Sequence, residues 1–98
     1  MHMQTIMGSG GAIGKELARA LPAYTNGIRL VSRNPEKVNP GDELLSADLL
    51  KTGEVARAVK GSAVVYVTVG FPYKLKFWRK HWPSFINNVI EACADEGA

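Results

Sequence analysis

Ile6-Met7-Gly8-Ser9-Gly10-Gly11-Ala12-Ile13-Gly14 sets four glycines within seven positions close to the start of a 98-residue chain. Glycine weakens regular structure unless φ must be positive or another group must approach the main chain closely. The choice lies between a solvated connection and a turn that offers backbone N–H groups to an anion at a helix N-terminus. The flanks favour the second. Gln4–Met7 reads as a short strand, and Ile13, Leu17, Ala20 and Leu21 recur at helical spacing until Pro22, with Lys15, Glu16 and Arg19 opposite. In such a turn Gly8 makes the tight bend, Gly10 or Gly11 admits a phosphate close to the backbone, and Gly14 lets the helix pack on its strand. Ser9, Ala12 and Ile13 complete the candidate cradle. The spacing is G-x-x-G-x-x-G through Gly8, Gly11 and Gly14, because Ile13 stands where G-x-G-x-x-G counted from Gly8 needs its last glycine. No Gly-Lys-Ser/Thr follows, which argues against a P-loop.

Outward from the turn, Asn26-Gly27 signals a reversal and Ile28–Ser32 a second strand closed by Asn34-Pro35. Glu36 to Asp42 reads as a loop or a single helical turn, and Leu44–Ala47 as a short third strand ending at Asp48. Thr52 is the expected N-cap of a helix carrying Val55, Ala56 and Val59, with Gly61 as its C-terminal glycine. Ala63–Val69 is nearly continuous in β-branched residues and predicts a strand buried on both faces. Trp78, Trp82, Phe85, Ile86, Val89, Ile90 and Cys93 form an apolar helical stripe in which Pro83 either makes a kink or opens the main helix. Strands alternating with helices predict an α/β, Rossmann-type parallel sheet covered by helices on both faces, with four strands in the order 3-2-1-4.

The length bounds residues 1–98 to one domain, and an apolar content of 46% is ordinary for a globular chain. No apolar run spans a bilayer and no secretory leader is visible, so the expected location is cytoplasmic, without a membrane partner. Cys93 cannot pair within the chain and reads as a small buried hydrophobe. A net charge of +3 favours anionic ligands. Tyr73–Trp82 interleaves cations with aromatics, which makes a small nucleic-acid-binding domain an alternative, but Trp78 and Trp82 lie on the core stripe. His2 and His81 are isolated, without metal-ligand spacing.

About 20 residues past the glycines, an NAD-binding chain offers an acid to the ribose hydroxyl. Ser32 and Arg33 stand there instead, and arginine with a hydroxyl donor suits a 2′-phosphate, so NADP is favoured over NAD.

The chain resembles the NAD(P)-binding end of the short-chain dehydrogenase/reductase superfamily, in its extended and atypical branches of epimerase/dehydratase-like and isoflavone-reductase-like proteins. The matching pieces are Gly8–Gly14, Ser32-Arg33, Ala47-Asp48-Leu49, Val67-Thr68-Val69-Gly70 and Asn88–Ala92. The resemblance implies that Asp48 accepts a hydrogen bond from the adenine amino group while the Leu49 backbone holds the ring. Asp48 as a plain turn or helix-start acid is an equal alternative. It also implies that Thr68, Val69 and Gly70 line the ribose side of the cleft, whereas Asn88 has a structural part.

Enzymes of the superfamily carry a tyrosine and a lysine four positions apart on a later helix. Tyr73 and Lys76 are three apart and just after the fourth strand, so no catalytic residue is assigned. The expectation is an N-terminal piece of a longer oxidoreductase or epimerase, ending before a fifth strand and prone to self-associate through its sheet edge and last helix. A protein that senses NADP without turnover is the other alternative, and the small-molecule substrate is not legible.

Overall fold

The computed structural model describes residues 3–25, 27–68 and 75–98. Its elements run β1 (Met3–Met7), α1 (Ala12–Ala20) with a short 3-10 extension (Leu21–Ala23), β2 (Gly27–Ser32), β3 (Glu43–Ser46), α2 (Thr52–Val59), β4 (Ser62–Val67) and α3 (Leu75–Glu96). The four strands form one sheet in the order β3-β2-β1-β4, every pair parallel, as the alternation of elements predicts.

Side chains alternate across a strand, so each strand feeds two cores. Ile6, Ile28 and Leu30 point to one face, where they pack with Ala18 and Leu21 of the first helical segment. Met7 and Val31 point to the other and meet Val55, Ala58 and Val59 of α2 and Phe85, Val89 and Ala92 of α3. Helices therefore cover both faces. Burying one side chain of the size of Phe85, which is fully enclosed, stabilises the fold by about 1.5–3 kcal/mol. Between β1 and β4 the register slips by one residue after Met3, and the buried hydroxyls of Thr5 and Ser62 bond to each other at 2.5 Å.

Arg29 has a part that its place in a strand does not reveal. It lies on the α2 side of β2, and its guanidinium donates to the carbonyl oxygens of Ala58 (2.8 Å) and Lys60 (2.7 Å) while pairing with Glu43 of β3. A cation at the C-terminal end of a helix satisfies orphan carbonyls and opposes the helix dipole. Gly61 then leaves the helix at φ +78°, the left-handed residue expected there.

Several expectations shift. Along α1 the packed stripe is Gly14, Leu17, Ala18 and Leu21, leaving Ala20 exposed and Ile13 73% exposed at the helix start. Helix α2 is capped by Lys51, extended at φ −102°, rather than by Thr52, which is already the first helical residue. Strand β4 begins at Ser62 and ends at Val67, and the predicted burial on both faces does not hold. Only Ser62 is buried and Val64 is 37% exposed, because β4 has β1 alone beside it in the described sheet. Pro83 does not open α3, which runs through it; the ring sits on the solvent side, opposite the Phe85 and Val89 stripe. On the same helix Ile90 is exposed and Cys93 only partly buried, and burial pushes the Cys93 thiol up from its ordinary value, away from the reactive thiolate. No helix among the described residues is long and apolar enough to cross a membrane.

Replacing Arg29 by methionine keeps the packing volume and removes the guanidinium whose Nη1 holds the Ala58 and Lys60 carbonyls and whose Nε pairs with Glu43. The expected loss, read from urea unfolding, is about 1–3 kcal/mol, the range for a charge-assisted hydrogen bond removed from a sheltered site. Arg29→Lys recovers only part of it, since one ammonium does not reproduce the planar fork.

Candidate functional site

Parallel strands with helical crossovers present their C-terminal ends to the ligand side of the sheet. There the β1–α1 turn is tied to both neighbouring strands. The amides of Gly8 and Ser9 donate to the Val31 carbonyl at 2.9 and 3.3 Å, fastening the turn to β2. From the end of β4, the Thr68 amide donates to the Met7 carbonyl at 2.9 Å, and the Thr68 hydroxyl lies 2.8 Å from that oxygen and 3.3 Å from the Gly8 oxygen.

The glycines divide into two kinds. Gly8 sits at φ +86°, a conformation costly for any residue with a Cβ. A Cβ on Gly14 would stand 2.6 Å from the Gly8 oxygen, 2.9 Å from Ser9 Cα and 3.1 Å from Thr68 Oγ1, so the helix can approach the turn only without one. Gly10 and Gly11 are different. A Cβ on Gly10 would meet nothing within 4 Å, one on Gly11 would make an ordinary 3.6 Å contact, and neither has positive φ. The fold itself does not require those two to be glycine.

Helix α1 opens with Gly11 at the N-cap, extended at φ −80° and ψ 166°, with no capping side chain and no acid in the first turn. The first intrahelical bond to the cap runs from Lys15 N–H to the Gly11 carbonyl at 3.0 Å. Among the described residues, the amides of Ala12, Ile13 and Gly14 have no hydrogen-bond acceptor. Three uncompensated donors at the positive end of a helix make an anion site. Beside them lies an open hollow of about 200 Å³ lined by Ser9, Gly10, Lys15, Asn34 and Glu36. Ser9, one of those lining residues, is 4% exposed, and its hydroxyl is buried without a partner.

The remaining candidates lie off β2 and β3. Ser32 ends β2, half-buried, its carbonyl accepting from the Ala47 amide at 3.0 Å. Arg33 is 74% exposed and stands 3.9 Å from Asp48 Oδ1, a loose surface pair of the kind that contributes at most about 1 kcal/mol. Asp48 also accepts from the Leu50 amide at 3.1 Å, which is the turn-acid arrangement. The Leu49 side chain is buried in the α2–α3 core, leaving only its backbone for a ligand. Val69 and Gly70 lie outside the described residues, as do Tyr73 and the side chains of Lys76 and Trp78. Sequence reasoning missed Lys15, read as the wet side of α1, and Asn34 and Glu36, read as turn residues; only the β1–β2 pairing brings them to one wall. Among the described residues no group of His, Cys, Asp and Glu is placed to hold a metal ion.

Comparison with known proteins agrees with this architecture. A family model described as NAD(P)H-binding matches residues 8–98. No curated protein matches by sequence. Among solved structures, uronate dehydrogenase from Agrobacterium tumefaciens superposes with a TM-score of 0.84 at 19% identity, over 99% of this chain and 38% of that one. A short-chain dehydrogenase/reductase from Veillonella parvula in complex with NADP gives 0.70 at 21% identity, over 98% and 43%. A Rossmann-fold NAD(P)-binding family protein from Shigella flexneri gives 0.76 at 22% identity, over 100% and 48%. At such identities the likeness is one of fold, and the chain spans less than half the length of each.

The two kinds of glycine are separable by experiment. Gly14→Ala is expected to lower stability by about 1–3 kcal/mol, because the atoms in the way are backbone and cannot swing aside. Gly10→Ala is expected to leave the urea midpoint unchanged or slightly raised, since it removes only unfolded-state freedom.

Proposed function

The chain belongs to the NAD(P)H-binding family, and from that premise we propose that it is the dinucleotide-binding part of a short-chain dehydrogenase/reductase-type oxidoreductase or epimerase, with NADP preferred to NAD. The observation that carries the reading is the row of free amides at Ala12, Ile13 and Gly14 beside two glycines that the fold does not need. A diphosphate set against those amides accepts three hydrogen bonds and meets the helix dipole. Gly10 and Gly11 then leave room where a side chain would stand, and the buried Ser9 hydroxyl finds an acceptor.

Arg33 supports the preference for NADP. Its pair with Asp48 is long and solvated, so the guanidinium can turn to a 2′-phosphate at small cost, with Ser32 beside it. Asp48 and the Leu49 backbone are assigned to the adenine, and Thr68, Val69 and Gly70 to the ribose wall. One related uronate dehydrogenase structure is complexed with NAD and the Veillonella parvula protein with NADP, so fold likeness leaves the preference to these residues.

A bound nicotinamide dinucleotide supplies a hydride donor or acceptor. The residues of this chain bind and orient it. No tyrosine here has a lysine four positions on, so the chain alone is assigned binding without turnover.

Titration with NADPH and NADH, followed by tryptophan fluorescence or calorimetry, tests the reading. NADPH is expected to bind more tightly. Arg33→Asp should lose about tenfold in NADPH affinity or more, the worth of a charge-assisted hydrogen bond replaced by repulsion, with little effect on NADH. Gly10→Val should weaken both nucleotides at an unchanged unfolding midpoint. Binding of a single-stranded oligonucleotide with neither nucleotide would overturn the proposal in favour of the nucleic-acid reading.

A further inference from the structure

Helix α3 carries its charges the wrong way round for its own stability. A helix N-terminus favours acids and a C-terminus bases, yet α3 has no acid in its first turn and no base in its last. Arg79 and Lys80 stand exposed towards its start, and Glu91, Asp95 and Glu96 towards its end. Such an order costs the helix by itself. It suits a second helix running in the opposite direction, whose charges and dipole are both reversed.

The face that carries these charges is also the one the fold leaves uncovered. Phe85, Val89 and Ala92 turn into the core, whereas Asn87 lies on the outer side between two rows set by helical spacing. Lys80, Ser84, Glu91 and Asp95 form one row, all exposed. Pro83, Ile90 and Ala94 form the other, and there Ile90 is 60% exposed.

We propose that this face binds a second copy of the chain, α3 against α3, antiparallel about a two-fold axis that passes between the two Asn87 residues. An axis perpendicular to the helices reverses each row end for end and keeps it on its own side. Lys80 then stands beside Glu91 and Asp95 of the second copy, and Ile90 covers Pro83 of the second copy, each contact occurring twice. The two sets agree in register: the midpoint of Lys80 and Asp95 and that of Pro83 and Ile90 fall on either side of Asn87, within one residue of each other. A parallel pair would instead set lysine beside lysine and acid beside acid, which repel. The outer edge of β4, Ser62–Val67, is the other open surface, but it carries no charge to choose a partner or a register. None of this rests on the dinucleotide reading.

Sedimentation velocity of the full 98-residue chain over a range of concentrations, without nucleotide, is the test. A monomer–dimer equilibrium is expected, and added salt weakens it. Lys80→Glu is expected to weaken the dimer about tenfold or more by setting like charges opposite each other, and the double variant Glu91→Lys with Asp95→Lys does the same. Mixed in equal amounts, these two variants recover the association of the unaltered chain, because each offers the charges that the other lacks. Ile90→Asp also weakens the dimer. All these positions are exposed, and an unchanged thermal midpoint shows that the fold is intact. A chain that stays monomeric at every concentration overturns the proposal. So does a dimer that Lys80→Glu and Ile90→Asp leave unchanged, since its contact then lies elsewhere, as at the β4 edge. Mixed charge variants that fail to associate overturn the antiparallel register.

Discussion

One carbonyl oxygen organises this molecule at its working end. Val31, the penultimate residue of β2, accepts the amides of both Gly8 and Ser9. That pair of bonds bends the chain out of β1 at once, so the helix starts over the strand ends. Thr68 repeats the device from the other side, holding the Met7 and Gly8 carbonyls. With its carbonyls and first amides committed to neighbouring strands, the turn has no freedom to fold back over α1. The amides of Ala12, Ile13 and Gly14 are left open because the N-cap residue, Gly11, has no side chain to turn back onto them.

The close approach of helix to turn follows from the same constraint. Gly14 faces backbone atoms at distances no Cβ tolerates, so α1 is seated about as deep as a helix can be. Deep seating buries Ala18 and Leu21 with Ile6 and Leu30, and it also holds the first turn of the helix against the Gly8–Ser9 bend. Stability and site geometry are therefore one feature. The opposite face works differently: α2 is held from within the sheet by Arg29, whose Nη1 donates to the carbonyls of Ala58 and Lys60 at the helix end, and among the described residues the candidate ligand groups there are the Leu49 backbone and Asp48 at its margin.

How much of this was legible depends on whether a residue's role is set locally. The alternation of strands and helices, the sheet order and the tight bend at Gly8 follow from spacing and from handedness rules that hold for almost any chain. Gly61 is readable for the same reason. What escaped are roles created by pairing. Nothing in Ile28-Arg29-Leu30 says that Arg29 lies under the end of a helix some thirty positions on. Ile13 looked like core because its spacing from Leu17 is helical, yet the helix turns it outward at its first turn. Burial of Ala63–Val67 on both faces is not met for a related reason: β-branched residues suit a central strand, whereas β4 lies at the edge of the described sheet, and composition does not count neighbours. Asp48 carried two readings of equal weight, and its bond to the Leu50 amide satisfies the turn reading without removing an oxygen from use.

The split among the four glycines bears on how a site of this kind holds together. Gly8 and Gly14 are demanded by the fold, since one must adopt positive φ and the other must admit backbone contact. Their substitution would damage binding and stability together and so could never isolate either. Gly10 and Gly11 carry no such demand. A chain under no obligation to a ligand would gain stability by placing alanine at Gly10, because the unfolded state loses conformational freedom while the folded state loses nothing. Lys15 raises the same question in electrostatic form, as a cation close to the end of a helix that prefers an anion. Two departures from what the fold alone would favour, one entropic and one electrostatic, converge on the hollow that Ser9, with its unpartnered hydroxyl, also lines. A polyanion lodged there would reverse all three costs at once: it would fill the space at Gly10, neutralise Lys15 and accept from Ser9.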